Sequence, residues 1–598
     1  MDPSAAIVEA TEAHLRRGEP LAAYNAAQSG LEQTPGDVRL RQLHALALAR
    51  SGDVERANAE LAALAKEGLD DAETLGMLAR THKDLALRTA ASAARETHLK
   101  AAFAHYEHAW RAARGSGDAA AAVYTGINAA TMALLRGELD HARSLAAEVR
   151  AIAKDGRDYW SEATLGEAAL ILGEAEAARE HYARAAGIAG RRYGDLGTTR
   201  RQARLIEERL PRAEPPASSA LAIPPVAAFC GHMIDAPGRA APRFPETKES
   251  EVREAVRTHL ERIRPAALYG SAACGADLIC LEAARQMGCE THIILPFPAP
   301  AFRETSVDFA GGNWGERFER ALAAADSVTV ASDHRARGSM ATFEYANLIL
   351  TGMARLRARL LDTAVRGIAV FDPASARDPG GTRSIMDLWE RGGIPLDGVA
   401  IESARRSPAP AVASSSGEPG AIRHEIRALL FADAVGYSKM NEDQIPVYIT
   451  EFLGAVADLN RRAPKYEHVE VAGDGFYMVF ADPLDAGRYA LALSSLVAGT
   501  DWAARGLPAN LNLRIALHCG PVHCARDPIT GGPIYTGPHT SRAARIEPIT
   551  PPGQVYASSA FAAVAAATDG TLSLTYVGRM PLAKGYGTLG LYHVRAAA

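Results

Sequence analysis

The sequence predicts a multidomain protein with an all-α helical repeat unit, then an α/β unit with a parallel sheet, then an α+β unit. Its 598 residues are several times the length of one typical domain. Two stretches rich in proline, serine and alanine, at 212–225 and 405–420, lack any apolar period and divide the chain into thirds. The first third has helical periodicity, whereas the others alternate strand-like runs with helical ones. The expected boundaries are 1–212 (helical repeats), 213–224 (linker), 225–404 (α/β unit), 405–421 (linker) and 422–598 (α+β unit).

Composition limits the classes of function. The net charge of -5 provides no basic footprint for nucleic acid, so we expect no nucleic-acid partner. The six cysteines form no CxxC pairs, which favours reduced thiols. The N-terminus lacks a basic start followed by an apolar run, and no stretch reaches the ~18 apolar residues of a membrane span. We therefore expect a cytoplasmic protein that does not enter a membrane.

The first third repeats one pattern, in which a glycine ends a helical run and an alanine follows five residues later. The glycine permits a tight turn, and the small alanine lets two antiparallel helices approach closely. The spacing of 34 to 36 residues resembles tetratricopeptide (TPR-like) repeats, with an irregular middle at 70–117. An unrelated helical bundle is the alternative. Either arrangement implies a surface for a protein partner. The four pairs are Gly18/Ala23, Gly52/Ala57, Gly137/Ala142 and Gly173/Ala178.

The middle third alternates strands and helices, which predicts a parallel sheet with ligand loops at the carboxyl ends of its strands. The run YGSAACGAD at 269–277 passes from a strand directly into a helix. Its small residues would let backbone amides reach a phosphate. This segment resembles the SLOG superfamily of Rossmann-like nucleotide-sensing domains, which implies a second, regulatory nucleotide site. The alternative is that the small residues only allow close packing. The implied site residues are Gly270, Ser271, Gly275 and Asp277.

In the last third, two aspartates stand where strands stop. Asp433 ends the apolar run in IRALLFADAVGYSKM, and Asp474 lies in the tight turn of HVEVAGDGFYMVF. Two carboxylates from neighbouring strands can converge on a divalent cation, which prefers oxygen ligands. Either aspartate alone would more often be a turn or cap residue. The pairing therefore predicts a metal site.

Basic residues in the same third suit a triphosphate. Arg514 lies inside a strand, Ser541 and Arg545 share one helical face, and Lys584 precedes the last strand. Guanidinium and ammonium groups converging on phosphates are what a nucleoside triphosphate site needs. A lone surface charge is the alternative for each of them.

Four ordered motifs over 422–597 resemble the class III nucleotidyl cyclase catalytic domain, an α+β fold with a ferredoxin-like βαββαβ core: FADAVGYS, VAGDGFYMVF, RIALHCGPV and GPHTSRAARI. The resemblance implies that Asp433 and Asp474, helped by the Ala434 carbonyl, bind two Mg²⁺ or Mn²⁺ ions. Arg514, Arg545 and Lys584 would hold the triphosphate, with Ser541 and Arg545 as catalytic residues. It also implies a homodimer whose two sites each combine residues of both protomers.

The resemblance implies that the nucleotide base is read by Glu470 and Ile534. Glu470 replaces the lysine of adenylyl cyclases and favours GTP, although ATP stays possible. Ser541 stands in place of the usual ribose-orienting asparagine. The implied activity is a phosphorus–oxygen lyase that makes a 3′,5′-cyclic nucleotide and pyrophosphate in intracellular signalling. The alternatives are a cyclic pyrimidine nucleotide synthase in antiviral signalling, a degenerate scaffold that only binds nucleotide, and a nucleotide hydrolase in the middle domain.

Overall fold

A computed structural model describes residues 3–211, 213–239, 242–336, 338–374, 380–401, 422–568 and 572–596. The linker predicted at 405–421 lies outside these residues. The linker predicted at 213–224 is an ordered connection that contains a short 3₁₀ helix, Ala217–Ala220. The Ser218 amide and hydroxyl donate hydrogen bonds to the Glu207 carboxylate, at 2.9 and 2.6 Å, and fix this segment to the preceding helix.

The first unit is built from eleven helices that pack as antiparallel neighbours. The prediction for the repeat glycines is confirmed, because Gly18, Gly52, Gly137 and Gly173 all have positive φ. Their paired alanines are fully buried, as the repeat pattern requires. The helices are α1 (Pro3–Arg17), α2 (Pro20–Gln33), α3 (Val38–Ser51), α4 (Val54–Lys66), α5 (Ala72–Arg88), α6 (Ser92–Ser116), α7 (Ala119–Leu135), α8 (Leu139–Ala153), α9 (Tyr159–Leu172), α10 (Ala175–Ala189) and α11 (Tyr193–Glu207).

The stretch 70–117, which we expected to be irregular, is instead a regular hairpin of α5 and α6. The sequence period is lost there because α6 has 25 residues, whereas the helices of the clear repeats have 13 to 17. A longer helix shifts the next glycine out of register while the antiparallel packing continues. Among the described residues, no helix is both long and apolar enough to cross a membrane.

The middle unit is a parallel six-stranded sheet in the order β4-β3-β2-β1-β5-β6, which confirms the predicted α/β class. The strand order changes direction between β1 and β5. Its strands are β1 (Val226–Gly231), β2 (Ala267–Gly270), β3 (Glu290–Leu295), β4 (Ser327–Val330), β5 (Val365–Phe371) and β6 (Leu396–Ala400). Its helices are α12 (Glu249–Ile263), α13 (Ala276–Gln286), α14 (Ala299–Ser306), α15 (Trp314–Ala324), α16 (Ala341–Leu361) and α17 (Thr382–Arg391).

The last unit is an α+β domain around a mixed eight-stranded sheet in the order β13-β14-β12-β10-β7-β9-β8, with β11 paired to β10. The four strands in the order β10-β7-β9-β8 follow the chain order βαββαβ and pair antiparallel. The strands are β7 (Arg423–Val435), β8 (His468–Ala472), β9 (Gly475–Phe480), β10 (Asn512–Arg526), β11 (Pro533–Thr536), β12 (Val555–Ser558), β13 (Leu572–Pro581) and β14 (Thr588–Ala596). The helices are α18 (Gln444–Val447), α19 (Gly454–Asn460), α20 (Pro483–Ala498), α21 (Pro538–Ile546) and α22 (Ser559–Thr568).

The three units share one hydrophobic core. A single cluster of buried side chains includes Leu196 on α11, Leu350 on α16 and Phe561 on α22. α16 and α22 pack so closely that a Cβ added at Gly352 would lie 1.7 Å from the Ala563 carbonyl oxygen. The middle unit is therefore a direct support of the last one.

Polar contacts also join the units. Arg200 on α11 pairs with Asp362 at 3.1 Å, which fixes the helical unit to the middle one. The Tyr576 hydroxyl donates to Asn25 Oδ1 at 3.0 Å, which fixes the last unit to α2. Tyr345 on α16 donates its hydroxyl to a carbonyl of β10 at 2.7 Å. Each unit thus contacts the other two.

Candidate active site

Asp433 and Asp474 come together at one end of the last sheet. Asp433 lies near the end of β7 directly opposite Gly475, the first residue of β9. Asp474 occupies the turn between β8 and β9, and its carbonyl accepts a hydrogen bond from the Ala434 amide at 3.0 Å. The tight turn requires Gly473, whose φ is +64°. Adjacent antiparallel strands therefore present both carboxylates on one edge.

The charges at this edge interact. Burial and the neighbouring Asp474 carboxylate raise the pKa of Asp433, and the Arg514 guanidinium opposes the rise. Arg514 lies opposite Asp433 across the β7–β10 pair. The structure thus brings two of the predicted metal ligands and one predicted phosphate ligand into one group.

Glu547 joins this group, and sequence reasoning missed it. It begins the short turn after α21, and its Oε1 lies 3.7 Å from Arg514 Nη1, too far for a hydrogen bond but close enough for an ion pair. Burial, together with Asp433 and Asp474, raises the pKa of Glu547 to about 7, while Arg514 opposes this. A carboxylate at the C-terminal end of a helix is unfavourable to the helix dipole, which is the signal that could have found it.

Three carboxylates around one guanidinium leave an excess of negative charge, which suits a divalent cation. Among the described residues, no group of three or more histidine, cysteine, aspartate or glutamate side chains is arranged to hold a metal ion by itself. A cation at Asp433 and Asp474 would therefore complete its coordination with water and substrate oxygens. That is the usual way in which Mg²⁺ is bound, so the donor set fits the ion.

Arg545 and Lys584 form a second group. The Arg545 guanidinium lies over the Tyr586 ring, 5.9 Å from its centroid. Lys584 is exposed two residues before that ring, in a left-handed conformation with φ +60°. Ser541, one turn before Arg545 on α21, is also exposed. Ser541 and Lys584 therefore face solvent, whereas Arg545 is half-buried.

The two residues predicted to read the base lie on β8 and β11, which are not paired with each other in the sheet. Glu470 on β8 is more than half exposed, and its Oε1 is 2.8 Å from Nε2 of His468. The His468 ring also lies against Tyr535, the residue after Ile534 on β11, with ring centroids 5.5 Å apart. Sequence reasoning missed His468, although residues two apart on a strand share one face.

In the glycine-rich loop of the middle unit, where the sequence predicts backbone amides that reach a phosphate, three amides are already hydrogen-bonded within the protein. The Ala273 amide donates to the Asp277 carboxylate at 3.1 Å, the Cys274 amide to Ser306, and the Ala276 amide to His232. Gly275 has φ +96°, and a Cβ there would lie 2.4 Å from the Ile234 amide nitrogen. Close packing accounts for Gly275 and Asp277. The nucleotide site predicted there, which includes Gly270 and Ser271, stays a prediction.

The helix that carries Ser541 and Arg545 is fixed to the middle unit. Arg542 on α21 forms an ion pair with Asp333, which follows β4. A buried hydrogen-bonded chain runs alongside it, with His539 bonded both to His518 at 2.9 Å and to Ser332 at 3.2 Å. The orientation of α21 therefore depends on the middle unit.

Comparison with known proteins gave one family model and a set of solved structures. The family model Tetratricopeptide Repeats-Sensor (TPR-S) matches residues 21–133. The guanylate cyclase domain of RhGC from Catenaria anguillulae, in complex with GTP, is 19% identical and covers 29% of this chain and 100% of its own, with a TM-score of 0.26. The guanylyl cyclase Cya2 is 18% identical, covering 30% and 96%, with a TM-score of 0.26. The adenylyl cyclase CyaB from P. aeruginosa is 16% identical, covering 30% and 97%, with a TM-score of 0.24. The comparison with curated proteins gave no match.

Proposed function

We propose that this chain is a nucleotidyl cyclase that converts a nucleoside triphosphate to a 3′,5′-cyclic nucleotide and pyrophosphate. One observation carries the proposal: Asp433 and Asp474 meet at one sheet edge with Arg514 beside them. The reaction forms a bond from the ribose 3′ oxygen to the α-phosphorus, breaks the bond from that phosphorus to the bridging oxygen, and releases pyrophosphate. No protein nucleophile is required.

Asp433, Asp474 and the Ala434 carbonyl would hold two Mg²⁺ or Mn²⁺ ions, which neutralise triphosphate charge and favour ionisation of the 3′ hydroxyl when bound. Arg514 binds phosphate oxygens at the same edge. Glu547 holds the Arg514 guanidinium in place by the ion pair at 3.7 Å. The carboxylates and the guanidinium together orient the α-phosphate toward the attacking oxygen.

Arg545 and Lys584 bind the remaining phosphate charge, and Ser541 orients the ribose. Ser541 and Lys584 are exposed, whereas Arg545 is half-buried against the Tyr586 ring. The proposed assembly is a homodimer in which Asp433, Asp474 and Arg514 of one protomer meet Ser541, Arg545 and Lys584 of its partner. Such a dimer has two equivalent sites.

The proposed substrate is GTP, with ATP, UTP and CTP as competitors. The exposed Glu470 carboxylate accepts two N–H bonds from guanine, and His468 orients it at 2.8 Å. The adenine edge offers an acceptor that the carboxylate repels. Ile534 is apolar and supplies no hydrogen bond to either base.

The first test assays the purified full chain with Mn²⁺ and each of the four nucleoside triphosphates, with products identified by mass spectrometry. We expect one cyclic nucleotide and an equal amount of pyrophosphate. Asp433→Ala and Asp474→Ala should abolish turnover with the fold intact, whereas Asp485→Ala, an aspartate on α20 that pairs with Arg488, should not. No product from any triphosphate, or turnover retained in either active-site variant, would falsify the proposal.

The second test concerns the shared site. Asp474→Ala and Arg545→Ala proteins are each expected to be inactive, because each spoils both sites of its own homodimer. Mixing them should restore one intact site in each heterodimer. If heterodimers form and no activity returns, the two groups do not belong to one shared site.

The other two units are proposed to regulate this activity in the cytoplasm. The helical unit, which the TPR-S model matches over residues 21–133, presents a surface for a protein partner. The middle unit supports α21 through Asp333 and Ser332, so a ligand on the middle unit can alter the catalytic helix. In an Asp333→Ala protein that folds normally, a bound partner should no longer activate the cyclase. Activation as strong as in the wild type would contradict this route.

A further inference from the structure

A cavity of about 540 Å³ lies between the helical unit and the middle unit. We call it the junction cavity. It is lined by residues at the start of α11 and just before it, by the end of α12 and the residues that follow it, and by the end of α13 and the residues between α13 and β3. The last two segments lead into β2 and β3, so the cavity is at the amino ends of these strands. It is therefore on the opposite edge of the sheet from the glycine-rich loop.

Two guanidinium groups stand at this cavity without a carboxylate partner. Arg191 and Arg264 are both exposed, and neither takes part in an ion pair among the described residues. Glu261, the acid in the cavity lining, is already paired with Arg257. The Arg191 guanidinium lies against Gly288, where an added Cβ would be 3.1 Å from its Nη1.

This arrangement is unusual in a chain whose arginines are mostly paired with acids. Arg264 also holds a left-handed backbone conformation with φ +45°, which is unfavourable for a non-glycine residue. Two unneutralised guanidinium groups beside one cavity favour a ligand with a compact double negative charge, because guanidinium matches phosphate oxygens in pairs.

The floor of the junction cavity is apolar. Leu260, Tyr193 and Cys289 are buried, and Met287 is 37% exposed at the rim. The lining combines this apolar floor with the polar groups of Arg191, Arg264 and Glu261, and the volume lies within the range of small-molecule sites. A flat ring could pack against this apolar floor, while a phosphate could pair with the two guanidinium groups.

We propose that the junction cavity binds a small phosphorylated ligand of nucleotide size, with its phosphate on Arg191 and Arg264 and its ring on the apolar floor. The ligand contacts both units and so stabilises the docked arrangement of α11 on the middle unit. This site is separate from the proposed catalytic edge, and it does not depend on the cyclase activity.

The test is calorimetric titration of the full chain in EDTA with AMP, GMP, inorganic phosphate and the two parent nucleosides. A monophosphate should bind, and the parent nucleoside should bind at least tenfold more weakly. Arg191→Ala and Arg264→Ala should each weaken the monophosphate at least tenfold. Arg320→Ala is the matched control, since this exposed arginine on α15 pairs with Glu316 and should leave binding unchanged.

A second measurement locates the ligand. At saturating monophosphate, peroxide oxidation of Met287 should fall, while oxidation of the comparably exposed Met340 should not. The proposal is overturned if no monophosphate binds, if both arginine variants bind as well as wild type, or if Met287 is not protected. Binding that is lost in Asp474→Ala and kept in Arg191→Ala would assign the ligand to the catalytic edge and overturn it as well.

Discussion

Replacing Asp277 with asparagine should stabilise the protein above neutral pH. Asp277 lies in the first turn of α13 with 6% of its surface exposed, and its carboxylate accepts the Ala273 amide at 3.1 Å. Burial raises the pKa of Asp277 from 3.8 to about 7, against the lowering effect of its backbone hydrogen bonds. Asparagine keeps an oxygen acceptor for that amide and removes the buried charge.

The pKa difference between the folded and unfolded chain determines the direction and the size of the change in the free energy of unfolding with pH. Between pH 3.8 and pH 7 the folded chain holds a proton on Asp277 that the unfolded chain has released, so the free energy of unfolding falls as pH rises. A difference of about 3 pH units corresponds to about 4 kcal/mol at 1.36 kcal/mol for each. This loss of unfolding free energy is complete above pH 7 and absent below pH 3.8.

The assay is urea unfolding of the full chain at pH 5 and pH 8, with pulse proteolysis reporting on the middle unit. Asp277→Asn should raise the free energy of unfolding by up to about 4 kcal/mol at pH 8 and by much less at pH 5. Glu316→Gln, an exposed acid on α15, is the control and should change neither value. An asparagine variant no more stable than wild type at pH 8 would refute the reasoning.

Three further changes test the contacts described above. Gly352→Ala places a Cβ against the Ala563 carbonyl, so the free energy of unfolding in urea should fall by about 1 to 3 kcal/mol. An unchanged free energy of unfolding would contradict the close packing. Asp333→Ala removes the partner of Arg542 and should lower turnover with unchanged circular dichroism, and exchanging the two charges should recover part of it. Glu470→Lys should narrow a GTP over ATP preference of roughly tenfold, a ratio that follows from losing hydrogen bonds worth about 1 to 3 kcal/mol; an unchanged ratio would remove Glu470 from base selection.

Local patterns were enough to predict the three fold classes. Tight turns and buried small residues obey short-range rules, so the repeat glycines and their alanines could be identified from spacing alone. The alternation of strand-like and helical runs in the middle third likewise predicted its parallel sheet. The hairpin at 70–117 was not predicted, because the longer helix α6 removes the sequence period without changing the packing.

The sequence predicted only those residues of the candidate site whose positions follow from the ends of neighbouring strands. Asp433 and Asp474 were predicted to converge, and the structure brings them together, because a tight turn places adjacent strand ends side by side. Glu547 was missed because its approach to Arg514 depends on how α21 packs on the sheet. The Asp333–Arg542 pair joins residues 209 positions apart, and no local period encodes such a contact.

The contact between Gly352 and Ala563 also bears on how such a chain can evolve. Modular proteins exchange domains when the joints are loose linkers, because a new neighbour then needs no matching surface. Here backbone approaches backbone across the joint, so a replacement middle domain would have to offer a glycine at this one helical position and a face shaped to α22. Recombination at the linkers alone would therefore yield misfitting hybrids, and the two domains should be inherited as a pair.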